Sequence, residues 1–183
     1  MDNERKFFYR LCGDLTTVGN GNKQLVKDVL DQLIHVDLLD LHLILFEEND
    51  QGLIRIVLAE EEPEMKNVPP IEILNKMEKN HPGFLIPAVG GYMITVNRSA
   101  WMGGASIFYK GMTDKIIDKL GDDVLVIPSS VNIWGAVKRN PYVDYTPLLK
   151  TVKRENKKQP KTYRVNNTIY HLTKDGLGIY MKA

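Results

Sequence analysis

The stretch Val124-Leu125-Val126-Ile127-Pro128-Ser129-Ser130-Val131-Asn132-Ile133-Trp134-Gly135-Ala136-Val137 decides the fold. Val124–Ile127 is a short apolar run rich in β-branched residues, which reads as a buried strand. Pro128-Ser129-Ser130 supplies turn chemistry, and Val131–Val137 reads as a second strand. Upstream, Gly111–Leu120 has Ile116, Ile117 and Leu120 at helical spacing. Gly121 follows, where a helix end favours a left-handed backbone. Further upstream, Tyr92–Val96 and Ala105–Tyr109 read as strands joined by a connection over 97–104. Downstream, Pro147 opens a helix running from Leu148 to about Lys157. Thr168–Leu172 and Leu177–Met181 then form a hairpin about residues 173–176. Hairpins mixed with strand–helix–strand steps predict an α+β fold with a mixed, mostly antiparallel sheet and flanking helices.

The first half is less patterned. Phe7, Phe8 and Leu11 have helix-compatible spacing over 3–12. Val26, Val29, Leu30, Leu33 and Ile34 predict an amphipathic helix from Lys23 to about Leu39. Leu41–Phe46 and Leu53–Ala59 read as a hairpin about the polar cluster 47–52. Pro69-Pro70 starts a helix that buries Ile73, Leu74 and Met77, and His81-Pro82-Gly83 stops it. At 183 residues the chain suits a single domain over 1–183. The alternative division is an N-terminal helix-and-hairpin part over 1–83 and an α+β part over 90–183. The candidate boundaries are 60–68 and 81–91.

Composition narrows the function classes. One cysteine, Cys12, cannot make an intramolecular disulfide, and one cysteine with four histidines does not supply a thiolate zinc site. No window approaches the roughly 18 apolar residues of a membrane span, and the N-terminus lacks a signal-peptide core. The expected setting is a reducing bacterial cytoplasm. Net charge is +1, but residues 28–64 carry eleven acids against Arg55, a net of −10. Residues 138–164 carry nine bases against Asp144 and Glu155, a net of +7. Two solvated faces are the ordinary meaning of such blocks. A basic surface for a polyanion is the sharper one.

Three runs share an order with a known family: Gly90-Gly91-Tyr92-Met93-Ile94-Thr95-Val96-Asn97, then Gly103-Gly104-Ala105-Ser106-Ile107-Phe108-Tyr109-Lys110-Gly111-Met112, then 124–131. Over about 90–183 the chain resembles an uncharacterised family of Clostridia and other Firmicutes marked by a Leu-Pro-Ser-Ser turn. In that family a histidine and a glutamate follow the serine pair after one residue. Asn132 and Ile133 stand there in this chain. The resemblance implies a bacterial origin and an α+β fold, and no activity.

Several constellations invite chemistry. Glycines before Lys23 suggest a phosphate loop, but the Gly-x4-Gly-Lys-Ser/Thr frame is missing. Asp31 and His35 share a helix face, and with His42, Asp37 and Asp40 nearby they suggest a two-histidine, one-carboxylate metal site. Surface pairing explains them equally well, and no metal or other cofactor is expected. Ser129 or Ser130 could centre a hydrolase if a base such as His171 approached, although the nucleophile-elbow frame is absent. Cys12 sits in an apolar segment. Trp101 lies beside glycines in a connection, where it could anchor a partner or cap the core. Lys150, Lys153, Arg154 and Lys157 form a basic stripe opposite Leu148, Leu149 and Val152, extended by Lys158, Lys161 and Arg164 with Tyr163 as a stacking ring.

The expected function is a non-catalytic binding or regulatory accessory protein with a protein partner and no membrane partner. Its candidate surface residues are Trp101, Ser129, Ser130, Asn132, Lys150, Lys153, Arg154 and Lys157. A nucleic-acid-associated protein using 138–164 is the alternative. A hydrolase-like enzyme at the serine pair is the third.

Overall fold

A computed structural model describes residues 6–12, 23–49, 51–96 and 103–183. These form ten strands and four α-helices in an α+β arrangement. Strands β1 (Lys6–Leu11), β2 (His35–Leu38), β3 (Leu41–Glu48) and β4 (Ile54–Ile56) make one sheet. Its order is β1-β3-β2, with β4 also on β3. Strands β5 (Gly83–Ala88), β6 (Gly91–Val96), β7 (Val124–Pro128), β8 (Trp134–Lys138), β9 (Thr168–Thr173) and β10 (Gly176–Lys182) make a second sheet, in the order β10-β9-β7-β8-β6-β5. All pairings between these strands are antiparallel, and there are two sheets where one was expected.

Helices α1 (Lys23–Asp31), α2 (Pro70–Asn80) and α3 (Lys110–Leu120) belong to the chain between the strands, and α4 (Thr146–Lys158) connects β8 to β9. Alternation along β7 sends Val124 and Val126 to one face of the second sheet and Leu125 and Ile127 to the other. The first face joins Trp134, Ala136, Tyr170 and Leu172 to Tyr9, Leu11, Leu43 and Leu45 of the first sheet. Ile73, Leu74 and Met77 of α2 and Met112 and Ile116 of α3 complete this core. The second face holds a smaller cluster of Leu125 and Ile169 under Leu149 and Val152 of α4. Ile73, Leu74 and Met77 are the buried stripe predicted for α2. Gly121 closes α3 with φ of +87°.

Three local expectations are corrected. Residues 6–11 are strand β1 rather than helix, because Phe8 stacks on Phe46 of β3 at 5.8 Å and each residue pairs across to β3. The first long helix ends at Asp31, because His35–Leu38 pairs with Leu41–Ile44. The strand expected over 105–109 is a 3-10 turn, Gly104–Phe108, pinned where the Gly104 N–H donates to the Val131 carbonyl at 2.9 Å. Residues within the candidate boundary 81–91 form β5, which pairs with β6 over its whole length.

Candidate binding surface

The serine turn is built for backbone. The Ser129 and Ser130 N–H groups both donate to the Ile133 carbonyl, at 3.0 and 3.1 Å. The Ser130 hydroxyl oxygen accepts from the N–H groups of Asn132 and Ile133, each at 3.2 Å. The Val131 N–H donates to the Tyr163 carbonyl at 3.0 Å, which ties the turn to the basic tail. A Cβ on Gly103 would overlap the Asn132 carbonyl, and one on Gly104 the Val131 carbonyl. The glycine pair and the serine turn are therefore one packed unit. Ser130 and Asn132 are buried, and the Asn132 side-chain oxygen has no hydrogen-bond partner among the described residues.

No histidine or carboxylate reaches either serine hydroxyl among the described residues. His171, the nearest sequence candidate for a base, is paired elsewhere. Its Nε2 lies 2.7 Å from Asp123 Oδ1, and the same oxygen accepts from Arg139 Nε at 2.6 Å. The Arg139 hydrogen bond holds the Asp123 carboxyl below its ordinary range against the opposing effect of burial, with the His171 hydrogen bond adding to it. Tyr180 lies beside this cluster, its ring centre 5.9 Å from the Arg139 guanidinium and 6.1 Å from the His171 ring. This arrangement orients side chains at the sheet end and presents no nucleophile.

The acid–histidine constellation also resolves into pairing. Asp37 and His42 face each other across β2 and β3, with Nδ1 2.6 Å from the carboxylate. His35 Nε2 lies 3.7 Å from the same oxygen. Asp31 has no ion pair with this group among the described residues; it lines a cleft of about 280 Å³ with Gln32, Leu58, Glu60 and Lys66, and shares an adjoining one with His35. Among the described residues no group of three or more His, Cys, Asp or Glu side chains is arranged to hold a metal ion. Asp40 instead joins the two sheets. The phosphate-loop reading of 13–23 rests mostly on residues outside those described, as does Trp101. The Asp31 cleft and an adjoining one of about 270 Å³ fall just below the ~300 Å³ at which ligand pockets usually begin.

The basic stripe is where the chain presents charge. Lys150, Lys153, Arg154 and Lys157 are all exposed on α4, while Leu149, Val152 and Asn156 are buried beneath. Arg154 and Lys158 share Glu155, both at 2.9 Å. Lys153 and Lys157 have no ion pair among the described residues. Lys150 acts electrostatically on Asp144, whose carboxyl is held low chiefly by the Thr146 N–H. Asn156, which sequence reasoning missed, anchors the tail to the helix. Its Nδ2 donates to the Val165 carbonyl and to Asn167 Oδ1, and its Oδ1 accepts from the Val165 N–H at 3.1 Å. Arg164 folds back onto the carbonyls of Gln159 and Lys157, both at 2.9 Å. Tyr142 stands 95% exposed before α4, and Tyr163 is partly exposed after it. A buried asparagine at an otherwise apolar helical position is the one signal that marked Asn156.

The site thus defines an α+β chain with a rigid, helix-borne cationic face. No family model, curated protein or solved structure matches it. No helix among the described residues is long and apolar enough to cross a membrane.

Proposed function

We propose that the protein is a non-catalytic binding or regulatory accessory protein that engages an acidic protein surface through α4. The observation that carries this reading is the exposed row Lys150, Lys153, Arg154 and Lys157 on a helix whose opposite side is seated in a core. Such a row presents charge at fixed spacing with no further backbone ordering, since the helix is already fixed, and only the side chains lose freedom on binding. The commitment of the Ser130 hydroxyl to backbone, and of His171 to Asp123, favours binding over hydrolysis. A reducing cytoplasmic setting belongs to the same reading and is supported by the use of one cysteine in 183 residues.

A second reading, nucleic-acid association, is favoured by one observation. Tyr142 and Tyr163 are exposed rings before and after α4 along the chain, and base stacking on an aromatic ring contributes about 1–3 kcal/mol. Fluorescence anisotropy separates the two. A labelled polyglutamate peptide and mixed-sequence single-stranded and duplex nucleic acids are titrated between about 50 and 200 mM salt. Peptide binding that falls at least about tenfold in a Lys153→Glu/Arg154→Glu variant supports the first reading. Binding of nucleic acid alone, with the same loss, transfers the assignment to the second. Absence of binding to every probe, or binding unchanged by the charge reversal, overturns the role of α4.

A further inference from the structure

We infer that β5 is a self-complementary edge through which two copies of this chain join their six-stranded sheets. Among the described residues the second sheet ends in β10 on one side and β5 on the other. An edge strand leaves a row of backbone N–H and C=O groups that another strand can pair. The two edges are guarded unequally. β10 carries a register shift between Ile179 and Met181, and Lys182 at its end. A bulge and a lysine are both devices that discourage further pairing. β5 has neither, Pro87 being its one such device, and residues 82–96 contain no Asp, Glu, Lys or Arg in a chain that is 26% charged.

The register of β5 settles which groups face outward. Ala88 and Gly91 are direct partners across a two-residue turn, so they must exchange both backbone hydrogen bonds. Alternation then directs the backbone groups of Phe84, Ile86 and Ala88 to β6. Those of Gly83, Leu85 and Pro87 point away from the sheet. Pro87, which has no N–H to offer, sits at an outward position, where an edge tolerates proline. It removes a donor but leaves its carbonyl available.

A two-fold axis at Leu85 uses what remains. Leu85 of each copy exchanges both backbone hydrogen bonds with Leu85 of the other; Gly83 is buried against Met112 and Ser106 and adds none. The same axis sets Phe84 of one copy directly opposite Ile86 of the second, twice. These side chains are 41% and 42% exposed, on the face opposite the main core. Aromatic and β-branched residues make favourable cross-strand pairs, and the missing charges mean that antiparallel self-pairing opposes no like charges. The occupant the strand fits is therefore a second copy, joined by an isologous contact.

Sedimentation velocity from about 1 to 100 µM protein tests this. The wild-type chain is expected to sediment at twice its 20.9 kDa mass at the upper end. Ile86→Lys is expected to weaken dimerisation at least tenfold while the circular dichroism spectrum, and the Tm measured at about 1 µM where the chain is monomeric, stay unchanged, because the side chain is already half in water. Lys153→Glu/Arg154→Glu is expected to leave dimerisation unchanged, which separates this surface from α4. Oxidative cross-linking reports the register. In a Cys12→Ser background, Phe84→Cys/Ile86→Cys should give a covalent dimer and Phe84→Cys alone should not. A wild-type chain that is monomeric throughout, or a dimer indifferent to Ile86→Lys, overturns the proposal. So does cross-linking of the single variant as readily as the double.

Discussion

The phenol of Tyr170 on β9 donates to Asp40 Oδ1 at 2.7 Å, so a residue of the second sheet holds the β2–β3 turn of the first. The Thr168 hydroxyl donates to Oδ2 at 2.7 Å, and Lys182 Nζ lies 3.0 Å from the same oxygen. Asn166 donates to the Asp40 backbone carbonyl. Beside Asp40, Leu39 adopts φ of +61°, a conformation that costs a non-glycine residue about 1–2 kcal/mol. The contacts to Asp40 offset that strain and lock one sheet against the other.

Asp40→Ala should therefore destabilise the fold by about 2–4 kcal/mol, because it leaves the Tyr170 and Thr168 hydroxyls without their acceptor and Leu39 without compensation. Urea denaturation monitored by circular dichroism gives the number. A cost below about 1 kcal/mol would mean that the turn stands without the second sheet.

Stability should also fall with acid through the same residue. Burial opposes ionisation of Asp40, but hydrogen bonds from Tyr170, Thr168 and Lys182 outweigh it and hold the carboxyl below its ordinary range. A depressed carboxyl contributes stability that is fully present above its unfolded pKa of about 3.9 and is lost as pH falls through the lower folded value. Wild type should thus lose more stability than Asp40→Asn between about pH 5 and pH 2. Parallel pH profiles for the two proteins would contradict the assignment.

The serine pair should divide by role. Ser130→Ala removes the acceptor for two backbone N–H groups in a buried turn and should cost about 1–2 kcal/mol. Ser129→Ala, at an exposed hydroxyl, should stay within about 0.5 kcal/mol. Equal effects in thermal melts would show that the turn is held by something other than the Ser130 hydroxyl.

Gly104→Ala should be far worse than either. The added methyl would overlap the Val131 carbonyl, a backbone atom held by the same turn. Loss of folded protein, or a cost of at least about 3 kcal/mol, is expected from such overpacking, read as soluble yield and urea midpoint. A near-wild-type midpoint would refute the close approach.

Trp134 is fully buried, stacks on Tyr170 at 5.3 Å, and leaves its Nε1–H without a partner among the described residues. Trp134→Ala should cost about 3–5 kcal/mol. Trp134→Phe should cost clearly less, since it keeps a stacking ring and removes the unsatisfied donor. Chemical denaturation of both variants ranks them, and the reverse order would mean that the indole N–H is satisfied in solution.

The elements legible in the residues were those whose signals are local. Helices α2, α3 and α4 carry apolar stripes at three and four, with Pro70, Pro147 and Gly121 at their ends. The apolar runs of β3, β7 and β9 have the length and branching of strands. The basic row on α4 was equally readable, because helical spacing alone places Lys150, Lys153, Arg154 and Lys157 together. What stayed hidden depended on distant partners. His35–Leu38 has a helix-like neighbourhood, and only β3, with Asp40 gripped by β9, makes it a strand. Residues 104–108 have strand-like composition, yet the approach of Gly104 to Val131 winds them into a 3-10 turn. His171, which a hydrolase reading would have needed beside the serines, pairs with Asp123 instead, because alternation along β9 points it to the other face of the sheet from Tyr170. Local periodicity determined which segments are regular; sheet pairing and the packing between sheets decided which way their polar groups face, because those contacts join residues up to 130 positions apart.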